Sequence, residues 1–342
     1  MHNQYIFTAE VPSNIALIKY WGKRDLALQW PENDSLSMTL DSARTQTSAQ
    51  IAASGPDMIR RADSQGVVTA YTSGSDKAVR HLAFLRRELG FSAALEITTH
   101  NTFPTGCGIA SSASGLGALT LAAIAAWTGS ASLTELETAD FPRERLAYLA
   151  RMGSGSAGRS LFGGYVTWHA GSSPSAQRIE PLAVDWPLTD IIVLVSRQEK
   201  AVGSSAGHLS VRSSPLFLPR LAGLPARMRL VEAALAAHDL PALGNAIEAE
   251  ALEMHAVMLS SEPRLDYLQP RTSEVLAWLR QQREEHGLAA YFTIDAGPNV
   301  HIICAPHTAP EVVRRLNAAF PDLALITDRT GQGPLLYRRP TH

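Results

Sequence analysis

Cysteine is almost missing from this chain: of 342 residues, only Cys107 and Cys304 are cysteines. They lie far apart, with no C-x-x-C spacing, which excludes a thiolate zinc site and a disulfide scaffold and suits a reducing cytoplasm. Net charge is scarce as well. A formal charge of -2 offers no field that would gather nucleic acid or an anionic membrane. The opening residues Met1-His2-Asn3-Gln4-Tyr5 lack a basic n-region and an apolar h-region, so no secretory leader is expected. Histidines are scattered without an H-E-x-x-H pattern, and no protein-held transition metal is predicted.

Charge is locally absent between Asn101 and Thr134. That stretch is long enough to cross a bilayer, but its first half is Gly, Ser, Thr and Pro. Only Leu116 to Trp127 is steadily apolar, and its many alanines read as a core helix packed on all sides. The chain length suggests two domains, with a boundary near residues 180–190, so that 1–185 and 186–342 are the expected units.

What is present first is a pattern of strands. Tyr5–Val11, Ile15–Trp21, Ser37–Leu40, Thr45–Ala53 and Val67–Tyr71 are strand candidates, several with period-two alternation. Asp76–Leu89 has helical spacing after a possible Ser75 cap. Later come a strand at Leu95–Thr99, a helix at Arg143–Met152, a strand at Gly164–His169 and a buried strand at Ile191–Val195. The rest is helix-rich: Pro225–His238, Pro241–Leu259 and Arg271–Glu285 precede strands Tyr291–Asp295 and Val300–Cys304. A helix Pro310–Ala319 and a strand near Leu323–Thr327 close the chain, and the class is α+β.

Five segments bear on chemistry. Ile15 to Asp25 runs from an apolar strand into Lys19, Tyr20, Trp21, Lys23 and Arg24. In an extended strand Lys19, Trp21 and Lys23 share a face, with the two lysines roughly 13 Å apart at about 3.3 Å per residue. Such lysines suit the two ends of an elongated anion, or else snorkel into solvent. Pro104-Thr105-Gly106-Cys107-Gly108-Ile109-Ala110-Ser111-Ser112 is a glycine-rich turn opening a helix, able to bring backbone amides to a phosphate. It has no Walker A lysine, so it is not a P-loop NTPase.

Gly153 to Gly158 spells G-x-G-x-x-G, but a helix precedes it where a dinucleotide fold needs a strand. What remains is a tight turn between helices presenting Ser154, Ser156 and Arg159, and an arginine there can grip a carboxylate bidentately. Gly203-Ser204-Ser205-Ala206-Gly207 matches the G-x-S-x-G elbow of serine hydrolases, but the apolar strand ends well before Ser205. Asp295, at the end of a buried strand and followed by Ala296-Gly297-Pro298-Asn299, is placed for a site or for its own turn.

Together these segments resemble the GHMP small-molecule kinases and, within them, the diphosphomevalonate decarboxylases. The matching stretches are Asn14 to Asp25, Ser35-Leu36-Ser37-Met38-Thr39-Leu40, Pro104 to Gly115, Gly153 to Val166, and Asp295 to Asn299, in that family's order. The resemblance implies an N-terminal ribosomal S5-like domain and a C-terminal ferredoxin-like α/β domain with the site between them. It implies Asp295 as the catalytic carboxylate with Lys19 beside it, and Arg159 on the substrate carboxylate. It assigns Tyr20 and Lys23 to the diphosphate, and Ser154, Ser156 and Ser204 to the substrate. Pro104, Gly106, Gly108, Ser111 and Ser112 match the ATP loop, with magnesium carried by the nucleotide and touching Ser111 or Ser112.

The implied reaction is ATP-dependent decarboxylation of mevalonate 5-diphosphate in a cytoplasmic homodimer. Ser205-Ala206 stands where some bacterial relatives place an arginine on the diphosphate. A decarboxylase of 5-phosphomevalonate or a mevalonate 3-kinase therefore stays open, as does, from another class, a serine hydrolase at Ser205.

Overall fold

A computed structural model describes residues 5–62, 68–71, 76–103, 111–196 and 204–341 of the chain. Its first element, β1 (Tyr5–Ile18), is one strand where the sequence predicts two. The expected break falls at Pro12, which cannot donate to a ladder. The strand runs through it by slipping register between Pro12 and Asn14 and again between Ala16 and Ile18. After a small hairpin of β2 (Lys23–Asp25) and β3 (Trp30–Pro31), β4 (Ser35–Ile51) likewise joins two predicted strands. Its polar middle is held from outside. The buried carboxylate of Asp328 accepts the backbone N–H groups of Asp41 (3.0 Å), Ser42 (2.9 Å) and Ala43 (2.8 Å) where pairing with β1 skips.

β5 (Met58–Ala62), β6 (Val68–Tyr71) and β7 (Leu95–Asn101) extend the sheet, and α1 (Lys77–Leu89) links them. α2 (Ser111–Thr128) is buried along nearly all of its length, as its alanines predict. It packs with α1 and α4 (Arg143–Gly153) over one face of the sheet, while the short α3 (Leu133–Thr138) connects α2 to α4. A 3-10 helix, Gly155–Leu161, follows α4 directly, so G-x-G-x-x-G is indeed a helix-to-helix turn. β8 (Tyr165–His169) and β9 (Arg178–Pro181) complete this half.

The second half opens with β10 (Thr189–Leu194) and α5 (Ser204–Ser210), then α6 (Phe217–Ala237), α7 (Leu240–Leu259) and α8 (Pro270–His286). α6 starts earlier than expected and runs through Pro225. β11 (Ala290–Thr293), β12 (Val300–Cys304), α9 (Ala309–Ala319) and β13 (Ala324–Arg329) follow, and the strands form an antiparallel sheet of order β11-β12-β10-β13. Ile191 and Val193 face the α8 and α9 side, whereas Ile192 and Leu194 face α6 and α7. The latter core also contains Ile15, Leu17, Leu36 and Met38 from β1 and β4, so α6 and α7 are sandwiched between the two halves.

A final strand, β14 (Leu335–Pro340), is absent from the sequence reading. It returns to the first sheet and pairs antiparallel with β1, from Tyr5↔Pro340 to Glu10↔Leu335. A division at 185/186 falls between β9 and β10 but leaves this strand on the wrong side of the cut. Its mostly exposed Leu-Leu-Tyr-Arg-Arg-Pro pattern has no core face to announce it. The mixed helices and sheets are α+β, as expected. Among the described residues no helix is long and apolar enough to cross a membrane.

Candidate active site

Strand pairing on β1 stops at Ile18, which overturns the extended alternation of Lys19, Trp21 and Lys23. Gly22 has a φ of +104°, open to glycine and costly to others, and its N–H donates to Nδ1 of His208 at 2.9 Å. The chain therefore turns between the two lysines. Lys19 is 1% exposed, and its Nζ donates to Oδ1 of Asp295 at 2.7 Å. Asp295 lies just after β11, with its side chain a quarter exposed and thus reachable from solvent. Burial pulls the lysine pKa down, and Asp295 and Glu250 oppose it.

Arg159 sits on the 3-10 helix and is 2% exposed. Its two nearest partners are neutral: Ser35 Oγ at 2.6 Å and Asn14 Oδ1 at 3.2 Å. Its Nε is buried with no hydrogen-bond partner among the described residues. Burial holds the guanidinium down to about 10, with Asp295 and Tyr20 acting the other way. A buried cation with neutral partners and an unused donor is suited to an incoming carboxylate. Asn14 is itself anchored, donating to Ser160 Oγ at 2.8 Å and to the Ser156 carbonyl at 3.4 Å.

Tyr20 packs between Trp168 (ring centroids 4.7 Å apart) and His208 (4.5 Å). Its hydroxyl is also buried without a partner among the described residues, and burial pushes its pKa up. The turn needs its glycine here: a Cβ on Gly155 would lie 2.6 Å from the Tyr20 hydroxyl oxygen. The Lys23 ammonium is 5.9 Å from the Tyr20 ring centroid and donates to Gln29 Oε1 at 2.6 Å. Burial, with Lys77 adding like-charge repulsion, lowers Lys23 to about 8. Ser154 caps the end of α4, and its hydroxyl oxygen lies 3.3 Å from that of Ser112.

Ser111 and Ser112 open α2 and line a cavity of about 210 Å³ with Lys77, Thr47, Ile97, Asn101 and Leu119. Pro104, Gly106 and Gly108, the expected backbone of the phosphate loop, lie outside the described residues, as does the side chain of Ser204. Among the described residues β10 ends at Leu194 and Ser205 lies within α5, and residues 197–203, on which an elbow at Ser205 would depend, lie outside the described residues.

The structure thus brings Asp295, Lys19 and Arg159 to one place, with Tyr20, Ser154 and Ser112 beside it. Residues that the sequence reading did not single out complete the walls. Asn14 and Ser35 stand inside quoted motifs and could have been found there. Lys77 on α1 and Glu250 and His255 on α7 carry no motif, because only the packing of distant elements brings them in.

Comparison with known proteins agrees with this geometry. A family model described as the diphosphomevalonate decarboxylase-like N-terminal domain matches residues 11–178. A second, for the mevalonate 5-diphosphate decarboxylase C-terminal domain, matches residues 190–334. A diphosphomevalonate decarboxylase from Ganoderma lucidum is 34% identical over 352 aligned positions, covering 96% of this chain and 85% of the relative. Among solved structures, one described as MDDEF in complex with MVAPP, AMPPCP and magnesium superposes with a TM-score of 0.87 at 31% identity, covering 98% of this chain and 99% of that one. Mevalonate diphosphate decarboxylase from Staphylococcus aureus gives a TM-score of 0.86 at 31% identity, covering 97% of each chain. With family models on both halves and these relatives spanning nearly its full length, the chain belongs to the diphosphomevalonate decarboxylase family.

Proposed function

We propose that this chain converts mevalonate 5-diphosphate and ATP to isopentenyl diphosphate, ADP, phosphate and carbon dioxide. The observation that carries the reading is the Lys19–Asp295 pair, 2.7 Å apart, in a cleft shared with the buried, neutrally partnered Arg159. A structural neighbour described with MVAPP, AMPPCP (a methylene analogue of ATP) and magnesium supports the choice of ligands.

The residues divide the work as follows. A tertiary hydroxyl leaves poorly, so it is phosphorylated first. Asp295 accepts or orients the hydroxyl proton, and Lys19 keeps that carboxylate in place while countering charge on the moving phosphoryl group. Arg159 grips the substrate carboxylate, aligning its bond to carbon with the departing phosphate. Loss of phosphate leaves positive character at that carbon, and the electrons of the carboxylate bond fill it as carbon dioxide departs. Lys23, past the Gly22 turn, and Tyr20, just before it, receive the diphosphate tail, and Ser154 and Ser156 line the substrate between the two ends; Ser204 is assigned to substrate from the family pattern alone.

The triphosphate fits beside α2, where Ser111, Ser112 and Lys77 line the cavity, and the nucleoside fits its apolar wall. Among the described residues no cluster of three or more His, Cys, Asp or Glu could hold a metal ion. Magnesium would arrive on the nucleotide, as the neighbour described with AMPPCP and magnesium suggests, and would neutralise phosphate charge there. The reading also includes a cytoplasmic location and a homodimer, the latter measurable by light scattering.

The test is a coupled assay with Mg-ATP and either 5-diphosphomevalonate or 5-phosphomevalonate, following ADP and carbon dioxide. Both products are expected with the diphosphate. Turnover with the monophosphate alone would move the assignment to that substrate, ADP without carbon dioxide would make it a 3-kinase, and neither product from either substrate would remove the reading.

A further inference from the structure

Glu250 is the most enclosed carboxylate near the site. It lies on α7, its side chain is 0% exposed, and no step above uses it. Its Oε1 accepts the backbone N–H of Lys19 at 3.1 Å and Arg220 Nη2 at 2.5 Å, and its Oε2 accepts Arg227 Nη1 at 2.8 Å. Arg220 is itself 1% exposed and reaches on to the Lys19 carbonyl at 3.3 Å, which Asn33 Nδ2 also meets at 3.0 Å.

These bonds fall where the β1–β4 ladder has just ended, so the Lys19 peptide groups are satisfied by side chains instead of a neighbouring strand. The same helix serves the other partner of the pair. His255, on α7, bonds the Asp295 carbonyl through Nε2 at 3.1 Å; because a carbonyl only accepts, that nitrogen carries the proton. One buried helix therefore grips the backbone of Lys19 on one side and that of Asp295 on the other.

We propose that Glu250 is a positioning residue for the decarboxylation: with Arg220 it fixes the Lys19 backbone on α7, and so sets the ammonium against Asp295. The inference rests on the assignment of Lys19 and Asp295 to the reaction. A buried ion pair is a poor source of net stability, because desolvation offsets most of the attraction. Geometry and charge at Lys19 are what this one supplies. The charged and titratable groups facing Lys19 are Asp295, Glu250, Arg159, Arg220 and His255; removing the Glu250 charge withdraws one of the two anions that oppose the lowering of the Lys19 pKa by burial.

The experiment compares wild type, Glu250→Gln, the double variant Glu250→Gln/Arg220→Gln, and Asp295→Asn, measuring kcat, KM for mevalonate 5-diphosphate and the pH profile of kcat. The double variant removes the fully buried Arg220 together with its partner, while Arg227 keeps Glu253, and it carries the test if the single variant does not fold. Both Glu250 variants are expected to lose about 10²-fold in kcat, the scale of a misplaced reacting group, with KM changed less than about threefold. The alkaline limb of kcat should move to lower pH, since one of the anions that raise the Lys19 pKa is gone. Wild-type kcat with an unmoved alkaline limb, or a loss confined to KM, would overturn the positioning role. An active Asp295→Asn would instead remove the catalytic assignment underneath it, whatever the Glu250 variants do.

Discussion

Lys19 and Asp295 are 276 residues apart in sequence, and their side chains meet at 2.7 Å. Neither half of the molecule holds the pair alone: the lysine follows the first strand of one sheet, and the aspartate follows an edge strand of the other. The ammonium aims the carboxylate through their hydrogen bond, and the carboxylate opposes the lowering of the lysine pKa by burial. Asp295→Asn keeps the shape and loses the base. Turnover is expected to fall by about 10²-fold or more, while nucleotide affinity, measured by equilibrium binding, stays near wild type. A near-normal rate would exclude Asp295 from proton transfer.

Arg159 offers a second measurement. Replacing it with lysine retains charge but removes the planar fork, so the change is not conservative at a bidentate site. Arg159→Lys should raise KM for mevalonate 5-diphosphate by at least about tenfold and cut carbon dioxide release, since truncating a buried charge contact costs about 2–5 kcal/mol. Unchanged KM and unchanged carbon dioxide release would show that the substrate carboxylate binds elsewhere.

Lys23 gives a pH dependence with a defined sign. Its pKa is lowered to about 8 by burial, with Lys77 contributing. Below that value the ammonium is charged and binds the anionic tail; above it the charge is lost. KM for the diphosphate substrate should therefore rise as pH passes through about 8. Lys77→Gln removes the like charge and should shift this rise to higher pH. A KM independent of pH from 7 to about 9.5 would argue against contact between Lys23 and the tail, since a titrating contact would be lost within that interval.

Gly155 tests the close approach behind the substrate turn. A methyl group there would sit 2.6 Å from the Tyr20 hydroxyl oxygen, so the ring or the 3-10 helix has to shift. Gly155→Ala is expected to cost about 1–3 kcal/mol, seen as a lower midpoint in urea, and to weaken substrate binding together with it. Wild-type stability and KM would mean that the turn has room the packing does not suggest.

The buried pair of His301 and Asp190 in the second sheet, 2.7 Å apart and both nearly inaccessible, offers a stability control away from the cleft. Asp190→Ala leaves the histidine ring nitrogen in the core without its hydrogen-bond partner and should destabilise the fold by about 1–3 kcal/mol. Thermal or urea melting checks this, and a variant as stable as wild type would show that the pair contributes little.

Much of this was legible beforehand because it is local. Apolar runs and alternation located most strands, and the alanine-rich stretch is the buried helix α2. The helix before Gly153 was enough to reject a dinucleotide fold, since that judgement needs only the residues just upstream. Motif order pointed to the family and to Asp295, Lys19 and Arg159, because in these motifs residue type and spacing travel together.

The misses share a different cause. The sequence predicts β1 as two strands because Pro12 cannot donate to a ladder, and β4 as two because its polar middle is satisfied far along the chain, by Asp328. β14 went unseen because an exposed edge strand is defined by the ladder it joins, here β1, and has little pattern of its own. Lys19 and Lys23 were placed on one extended face, whereas pairing stops at Ile18 and Gly22 turns the chain.

What the sequence by itself determined is chemical: which side chains exist to bind phosphate and carboxylate, and the existence of most of the helices and strands that carry them. What only the tertiary structure decided is which of those side chains meet. Glu250 reaches Lys19, and His255 reaches Asp295, because α7 is buried between the two halves of the chain. Periodicity reports on neighbours within a few residues, whereas a site assembled across 276 positions depends on how whole layers pack.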